Sequence, residues 1–275
     1  MERVPWHDLP AAARHAAERH TGQVDKAETA DHGVMSRLAC TVHARSGRVF
    51  IKGTLLDDPS AWVYRHEAQV AGHAPLAPRV LWEVEAGGWL LVGYEYVDGR
   101  HPDLAPGSAD LGPLVRTLTA MSEASWPESI RKKPLRSRWA DFLPEGAPPG
   151  LEGRALAHTD MSPLNMLVTA YGELRFLDWA LACPAPRWAD TAFTVLRLIS
   201  AGHTPEQAEA LAHHVPAYQA AAPADVTTFS QTVRTAWESR ERTDPMPHRA
   251  TLTAAAQAWD AHRALAVHEV GRTSS

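Results

Sequence analysis

Three features of the sequence predict an α+β chain built from two unlike halves. After a leading helix, the first half alternates β-type runs with a single helical segment. The second half holds five stretches with apolar residues at three- and four-residue spacing, the pattern of one buried helical face. Into that helical half breaks the stretch "LAHTDMSPLNMLVTAYGELRFLDWA", Leu156 to Ala180, whose apolar runs read as short strands. The boundary is placed at Val97, giving segments 1–97 and 98–275. At 275 residues the chain can bury a large core without disulfide or metal staples.

The elements follow in order. Leu9 to His20 carries apolar or Ala positions at helical spacing, with Asp8 as a cap, Pro10 in the first turn and Gly22 past the end. "RLACTVHAR" and "RVFIKGTLL" are strands joined at Ser46-Gly47, a tight-turn dipeptide. "DDPSAWVYRHEAQVAGH" is a helix capped by Asp58 or Ser60 and ending at Gly72. "RVLWEVEAGGWLLVGYEYV" reads as two strands around Gly87-Gly88, closed by a turn at Asp98-Gly99. Strand, strand, helix, strand, strand makes a small curled antiparallel sheet with one helix against it.

In the second half, Leu111 to Ala124 spaces Leu111, Leu114, Leu118 and Met121 along one face, and Pro144 to Gly153 is a Pro/Gly-rich loop. Further helices are predicted at Asp190 to Ala201, Pro205 to Gln219, Ala224 to Arg240 and Ala250 to Val267. "NMLVT" and "LRFLD" pair as a hairpin about Tyr171-Gly172, which sets Asn165 and Asp178 at the same end, and Asp160 lies five residues before Asn165. Three oxygen-bearing side chains thus converge.

Composition removes several classes of function. A net charge of -5 leaves no basic face for nucleic acid. The first twenty residues lack the plan of a secretion signal, and no apolar run is long enough to span a bilayer. Cys40 and Cys183 have no metal-type spacing, so a reducing cytoplasm is the expected setting. The 15 histidines include no H-E-x-x-H, which directs them to core and surface rather than to zinc.

Converging hard oxygen donors with room for water suit Mg²⁺, which is held by one or two carboxylates plus substrate phosphates. Asn165 and Asp178 would hold the ion, leaving Asp160 to accept the proton of an attacking hydroxyl. That division of labour is the one phosphoryl transfer requires.

His158-Thr-Asp160-Met-Ser-Pro-Leu-Asn165 resembles the H-x-D-x-x-x-x-N catalytic loop of the protein-kinase-like superfamily. "LDWA" is similar to the metal-binding Asp motif of aminoglycoside phosphotransferases and related small-molecule kinases. The resemblance implies a bilobal protein-kinase-like fold, with a mainly helical C-terminal lobe, that uses ATP, or GTP in its place, together with Mg²⁺. It implies a phosphate-binding Lys52 fixed by Glu67, fifteen residues on, and Asp160 as the catalytic base. Adenine would meet backbone groups near Glu95 and Val97. The phosphate-covering loop would be Gly33 to Ala39, with Ser36 as its contact. Asp190 would cap its helix, and the resemblance implies that it would also steady the catalytic loop.

Thr159 replaces the Arg that precedes the catalytic Asp in protein kinases, and only eleven residues separate Asp178 from Asp190, too few for a regulated activation segment. A small-molecule hydroxyl is therefore the expected acceptor, with no nucleic-acid or membrane partner, for a monomer or homodimer. Ala180 stands where the family often has an acid. An aminoglycoside-type or other antibiotic is the leading acceptor, which would make the enzyme a resistance factor. Its acidic wall would come from Glu206, Glu209, Glu238, Glu241, Asp244 and Asp260. Trp179 and Trp188 are candidates for the pocket lining. The alternatives are a kinase of a choline-, sugar- or homoserine-like metabolite, a kinase-like nucleotide-binding module without turnover, and a protein kinase.

Overall fold

The computed structural model describes residues 3–31 and 36–273, with side chains described as far as residue 265. The chain forms two compact units. One comprises residues 1–100, 169–171 and 175–180; the other comprises 101–168, 172–174 and 181–275.

The first unit is built on a five-stranded antiparallel sheet. Its strands are β1 (Val24–Thr29), β2 (Leu38–Ala44), β3 (Gly47–Leu55), β4 (Val80–Ala86) and β5 (Trp89–Glu95), in the spatial order β1-β2-β3-β5-β4. Two helices accompany it, α1 (Ala11–Thr21) and α2 (Ala61–Ala71). The β2–β3 hairpin turns where expected, pairing Ala44 with Gly47. Gly47 has φ +120°, a conformation that glycine adopts without the cost a Cβ would add. Period-two alternation sends Cys40, Val42, Val49, Ile51 and Leu91 to one face, where Trp6, Leu9, Ala13 and Ala17 cover them. Each such aliphatic burial contributes about 1.5–3 kcal/mol. At Gly93 a Cβ would meet the Trp82 ring at 2.2 Å, so the indole packs onto bare backbone.

β1 is the strand that the hydrophobic pattern does not reveal. Its sequence VDKAET has only Val24 and Ala27 partly buried on the core side. Charged residues on a sheet edge discourage pairing with a second chain, and they also erase the apolar alternation that marks a strand.

The second unit is mainly helical. Its elements are α3 (Leu111–Ser122), α4 (Leu135–Arg138), β6 (Ala155–Ala157), β7 (Met166–Val168), β9 (Cys183–Ala185), α5 (Ala189–Ser200), α6 (Pro205–Ala212), α7 (Pro216–Gln219), α8 (Pro223–Thr243) and α9 (Pro247–Thr273). The chain passes from this unit into the first within β8 (Leu174–Phe176), after the Tyr171-Gly172 turn. The single helix read over Pro205 to Gln219 is two, because Pro216 has no N–H to continue the ladder. Thr204 and Gln207 close the start of α6 with a reciprocal capping box. Phe229 of α8 centres an aromatic cluster with Phe193 at 4.9 Å, Trp188 at 5.5 Å and Trp259 at 6.0 Å. Almost all of α5 is buried against it, which fixes the helix that carries Asp190 and Arg197.

Among the described residues no helix is long and apolar enough to cross a membrane.

Candidate active site

In the first unit, alternation along β3 buries Ile51 in the core and sends Lys52 to the opposite face. There its Nζ lies 2.7 Å from Glu67 Oε1 of α2 and 3.1 Å from Asp178 Oδ1. Segment 175–180 is held in this unit by backbone and side-chain bonds. The Phe176 N–H donates to the Leu76 carbonyl at 3.0 Å, and Arg175 donates to the Ala77 carbonyl at 2.9 Å. The Trp179 indole N–H donates to the Phe176 carbonyl at 2.8 Å. Asp178 then sits at φ +60°, a left-handed conformation that Asp tolerates better than most residues, with its carboxylate half exposed.

One ammonium thus serves two carboxylates, and the cluster is one positive charge short of neutral. Burial works against the Lys52 ammonium, but Asp178 and Glu67 outweigh it and hold its pKa above the usual lysine range. Burial lifts the Glu67 carboxyl to about 7 against the attraction of Lys52, and the Asp178 charge adds to the rise. The folded pKa of Glu67 therefore exceeds its unfolded value. Stability from this group is complete below about 4.5 and is lost as pH rises through about 7. Thermal unfolding across that window should show a falling slope that Glu67→Gln flattens; an identical slope in both proteins would contradict this electrostatic account.

Other nucleotide-site residues expected in this unit are placed as follows. The Glu95 amide donates to the Arg79 carbonyl at 2.8 Å. Burial works to raise the Glu95 carboxyl, but the Arg79 amide at 3.2 Å and the Arg175 and Arg79 guanidiniums at 3.4 and 3.3 Å outweigh it and hold the group below the ordinary range. Val97 follows β5 and is half-buried. Ser36 is half-buried just before β2, while Gly33, Val34 and Met35 of the expected phosphate loop lie outside the described residues.

In the second unit, β6 and β9 pair antiparallel with Ala157 opposite Cys183, and His158, Thr159 and Asp160 follow directly from β6. Thr159 has φ +65°, which costs a β-branched residue on the order of 1–3 kcal/mol. The buried Asp190 carboxylate offsets that cost by accepting the amides of His158 at 2.8 Å and Thr159 at 2.9 Å. Thr159 Oγ1 donates to the Leu181 carbonyl at 2.8 Å. Burial raises the Asp190 carboxyl above its ordinary range, with His158 and the two amides opposing.

His158 is fully buried, and its Nδ1 accepts the Asp160 amide at 3.3 Å, a role that places the ring proton on Nε2. Asn165 Nδ2 donates to the Asp160 carbonyl at 3.3 Å, which leaves its amide oxygen available. The Asp160 carboxylate is a third exposed and lies 3.2 Å from Arg197 Nη2 of α5. Burial lowers the Arg197 pKa, and Asp160 counteracts it.

Beside Asp160 the same unit holds a cavity of about 450 Å³ lined by Trp139, Phe193, Leu252, Arg138, Arg197 and Arg240 among others. Its aromatic lining is Trp139, Phe193 and Trp237. Trp188 instead packs edge-on to Phe229, and Trp179 is buried in the first unit. The acidic wall expected from six C-terminal carboxylates does not line this cavity. Glu209 is buried with Arg263 and Trp259, and Asp260 with Arg234 and Ser230. Glu206 meets His262, Glu238 meets Gln257, and Asp244 meets Arg249; Glu241 does not line the cavity either.

Arg197 escapes the motif reading, although it is the lone charge in the apolar run "AFTVLRLIS". A lone cation in a buried helix needs a partner, and that signal was available. Arg138 and Arg240 give no such local signal.

The metal implied by the motif can be tested against these donors. Asp178 offers a half-exposed carboxylate in an electron-rich cluster, and Asn165 offers an amide oxygen. Both are hard donors of the kind Mg²⁺ takes when phosphates and water complete its shell. Among the described residues no group of three or more His, Cys, Asp or Glu is placed to hold a metal unaided.

A five-stranded sheet bearing a Lys-Glu pair, with a mainly helical unit bearing an Asp-Asn loop, is the kinase-like α+β fold of the aminoglycoside phosphotransferases. Residues 114–224 match the model of the phosphotransferase enzyme family, which bears out the resemblance carried by the His158 to Asn165 motif. Among solved structures, an aminoglycoside phosphotransferase from Alicyclobacillus acidocaldarius is similar with a TM-score of 0.63 and 15% identity, over 95% of this chain and 98% of that one. A choline kinase from Streptococcus pneumoniae follows with 0.60 and 13%, over 90% and 97%. An AMP-bound spectinomycin phosphotransferase gives 0.57 and 12%, over 87% and 92%. No curated protein matches the sequence.

Proposed function

We propose that this chain is a Mg-ATP-dependent phosphotransferase that moves the γ-phosphate to a hydroxyl of a small molecule. The observation that carries the reading is the Asp160 carboxylate at the edge of a cavity, on a loop held in a costly conformation by a buried Asp190. Strain of this kind concentrates where geometry is needed for chemistry.

Lys52, oriented by Glu67, binds the nucleotide phosphates, and the adenine runs along the backbone near Glu95 and Val97. Ser36 contacts the phosphates from the loop before β2. Asp178 and Asn165 hold Mg²⁺, which neutralises charge on the phosphates when bound. Asp160 accepts the proton of the acceptor hydroxyl as the new oxygen–phosphorus bond forms and the bond to the bridging oxygen of ADP breaks. Arg197 fixes one carboxylate oxygen of Asp160 and leaves the other to the hydroxyl. The AMP bound to the spectinomycin phosphotransferase supports an adenine nucleotide as donor. The composition and the absence of a membrane-crossing helix among the described residues fit a cytoplasmic enzyme.

Thermal stability with and without Mg-ATP, followed by ADP release over a panel of hydroxylated acceptors, tests the proposal. Stabilisation with acceptor-dependent ADP release and a phosphorylated product is the expected result. Stabilisation without transfer to any acceptor would make the chain a nucleotide-binding module instead.

A further inference from the structure

The cavity beside Asp160 has a charge opposite to that expected for a polycationic antibiotic. Three guanidiniums line it, from Arg138 at the end of α4, Arg197 in α5 and Arg240 near the end of α8. Asp160 is the one carboxylate in the lining, and Arg197 already neutralises it at 3.2 Å. Among the described residues Arg138 and Arg240 have no carboxylate partner. Arg138 donates to neutral acceptors, Thr159 Oγ1 at 3.2 Å, Cys183 Sγ at 3.4 Å and the Leu181 carbonyl. The Arg240 guanidinium stacks over Trp237 at 5.0 Å and Trp139 at 5.5 Å.

Both arginines are half-buried, so water only partly screens them. Burial, and then the neighbouring guanidiniums of Arg138 and Arg249, weaken Arg240's hold on its proton, and the Asp160 charge offsets them only in part, which is the electrostatic cost of gathering three cations about one carboxylate. Beneath them lies an apolar floor of Phe193, Leu196 and Leu252, all buried. Arg is the side chain best shaped to grip a carboxylate or phosphate, and an aromatic wall holds its fork in place.

We infer that the acceptor is a small hydroxylated anion, whose carboxylate or phosphate sits on Arg138 and Arg240 while its apolar body covers the Phe193–Leu252 floor and its hydroxyl reaches Asp160. The inference rests on the phosphotransfer reading above for the role of the hydroxyl, but the charge selectivity of the cavity stands on its own.

The experiment compares matched acceptors: aromatic hydroxy acids with their primary amides, and sugar phosphates with the parent sugars, alongside kanamycin and choline. Transfer from Mg-ATP is measured for the wild type, Arg138→Gln, Arg240→Gln and the charge-retaining Arg240→Lys. Transfer should favour the anions, and each Gln variant should raise KM for the anion by about tenfold to about a hundredfold, the loss of a charged hydrogen bond, without raising KM for ATP. Arg240→Lys should recover part of the loss. Preference for the amides, the parent sugars or the cations would overturn the inference, as would a rise confined to the KM for ATP.

If no compound is phosphorylated although Mg-ATP binds, the phosphotransfer reading fails, and calorimetric binding of the same pairs decides the inference. Tighter binding of the acid than of its amide, lost in Arg240→Gln, upholds it; equal binding refutes it. The carboxylate and phosphate arms separate the two anion types.

Discussion

Asp160→Asn is expected to lower turnover by about 10²–10⁴ while Mg-ATP still stabilises the fold. The amide keeps the volume of the carboxylate and can still meet Arg197, 3.2 Å away in the native protein, so the loop keeps its shape. It cannot take up a proton. The backbone carbonyl of residue 160, which accepts from Asn165, is unchanged. Steady-state kinetics together with nucleotide binding by calorimetry separate the two effects. Near-normal turnover in this variant would remove Asp160 from the role of base, and loss of nucleotide binding alone would make it a structural residue.

Asp190→Ala should be the most damaging substitution outside the reacting groups. The carboxylate is buried and accepts two main-chain amides at 2.8 and 2.9 Å, and its removal leaves both donors without a partner in an enclosed site. Each unsatisfied donor costs about 1–3 kcal/mol, so a total of about 2–6 kcal/mol is expected. Thr159 would at the same time lose its main restraint at φ +65° and relax toward an ordinary conformation, carrying Asp160 with it. Asp190→Asn can accept one amide but presents N–H to the other, and should lie between the wild type and Ala. Chemical denaturation and kcat, measured on all three, check the order. A variant as stable and as active as the wild type would mean that the loop is held by something else.

The residues that read most clearly in the sequence are those whose role follows from local pattern. Lys52 lies one position from Ile51 on a strand with a turn dipeptide before it, so alternation alone puts it on the face opposite the core. Glu67 follows on the next helix, and the two meet at 2.7 Å. Asp178, 126 residues beyond Lys52, joins them in the same unit. β1 did not read, because an edge strand with Asp25, Lys26 and Glu28 shows no apolar alternation. The division of Pro205 to Gln219 into two helices was legible in Pro216 but was outweighed by the apolar spacing on either side.

The acceptor cavity was the least legible feature, and the acidic residues counted for it serve other purposes. Glu209 and Asp260 look like surface charge in sequence, yet they are buried and engaged with Arg263 and Arg234. The charge that lines the cavity comes from Arg138, Arg197 and Arg240, three positions on three helices with no shared motif. Charge counts along a helix cannot say which carboxylates are already neutralised by partners distant in sequence.

The most direct test of the central claim, that Lys52, Glu67 and Asp178 act with Asp160 and Asn165 on one nucleotide, is a crystal structure with Mg²⁺ and a non-hydrolysable ATP analogue. The account predicts a metal ion about 2.1 Å from both the Asp178 carboxylate and the Asn165 amide oxygen, with the phosphates on Lys52 and the γ-phosphate facing Asp160. A nucleotide bound elsewhere, or a metal ion held without these two side chains, would contradict it.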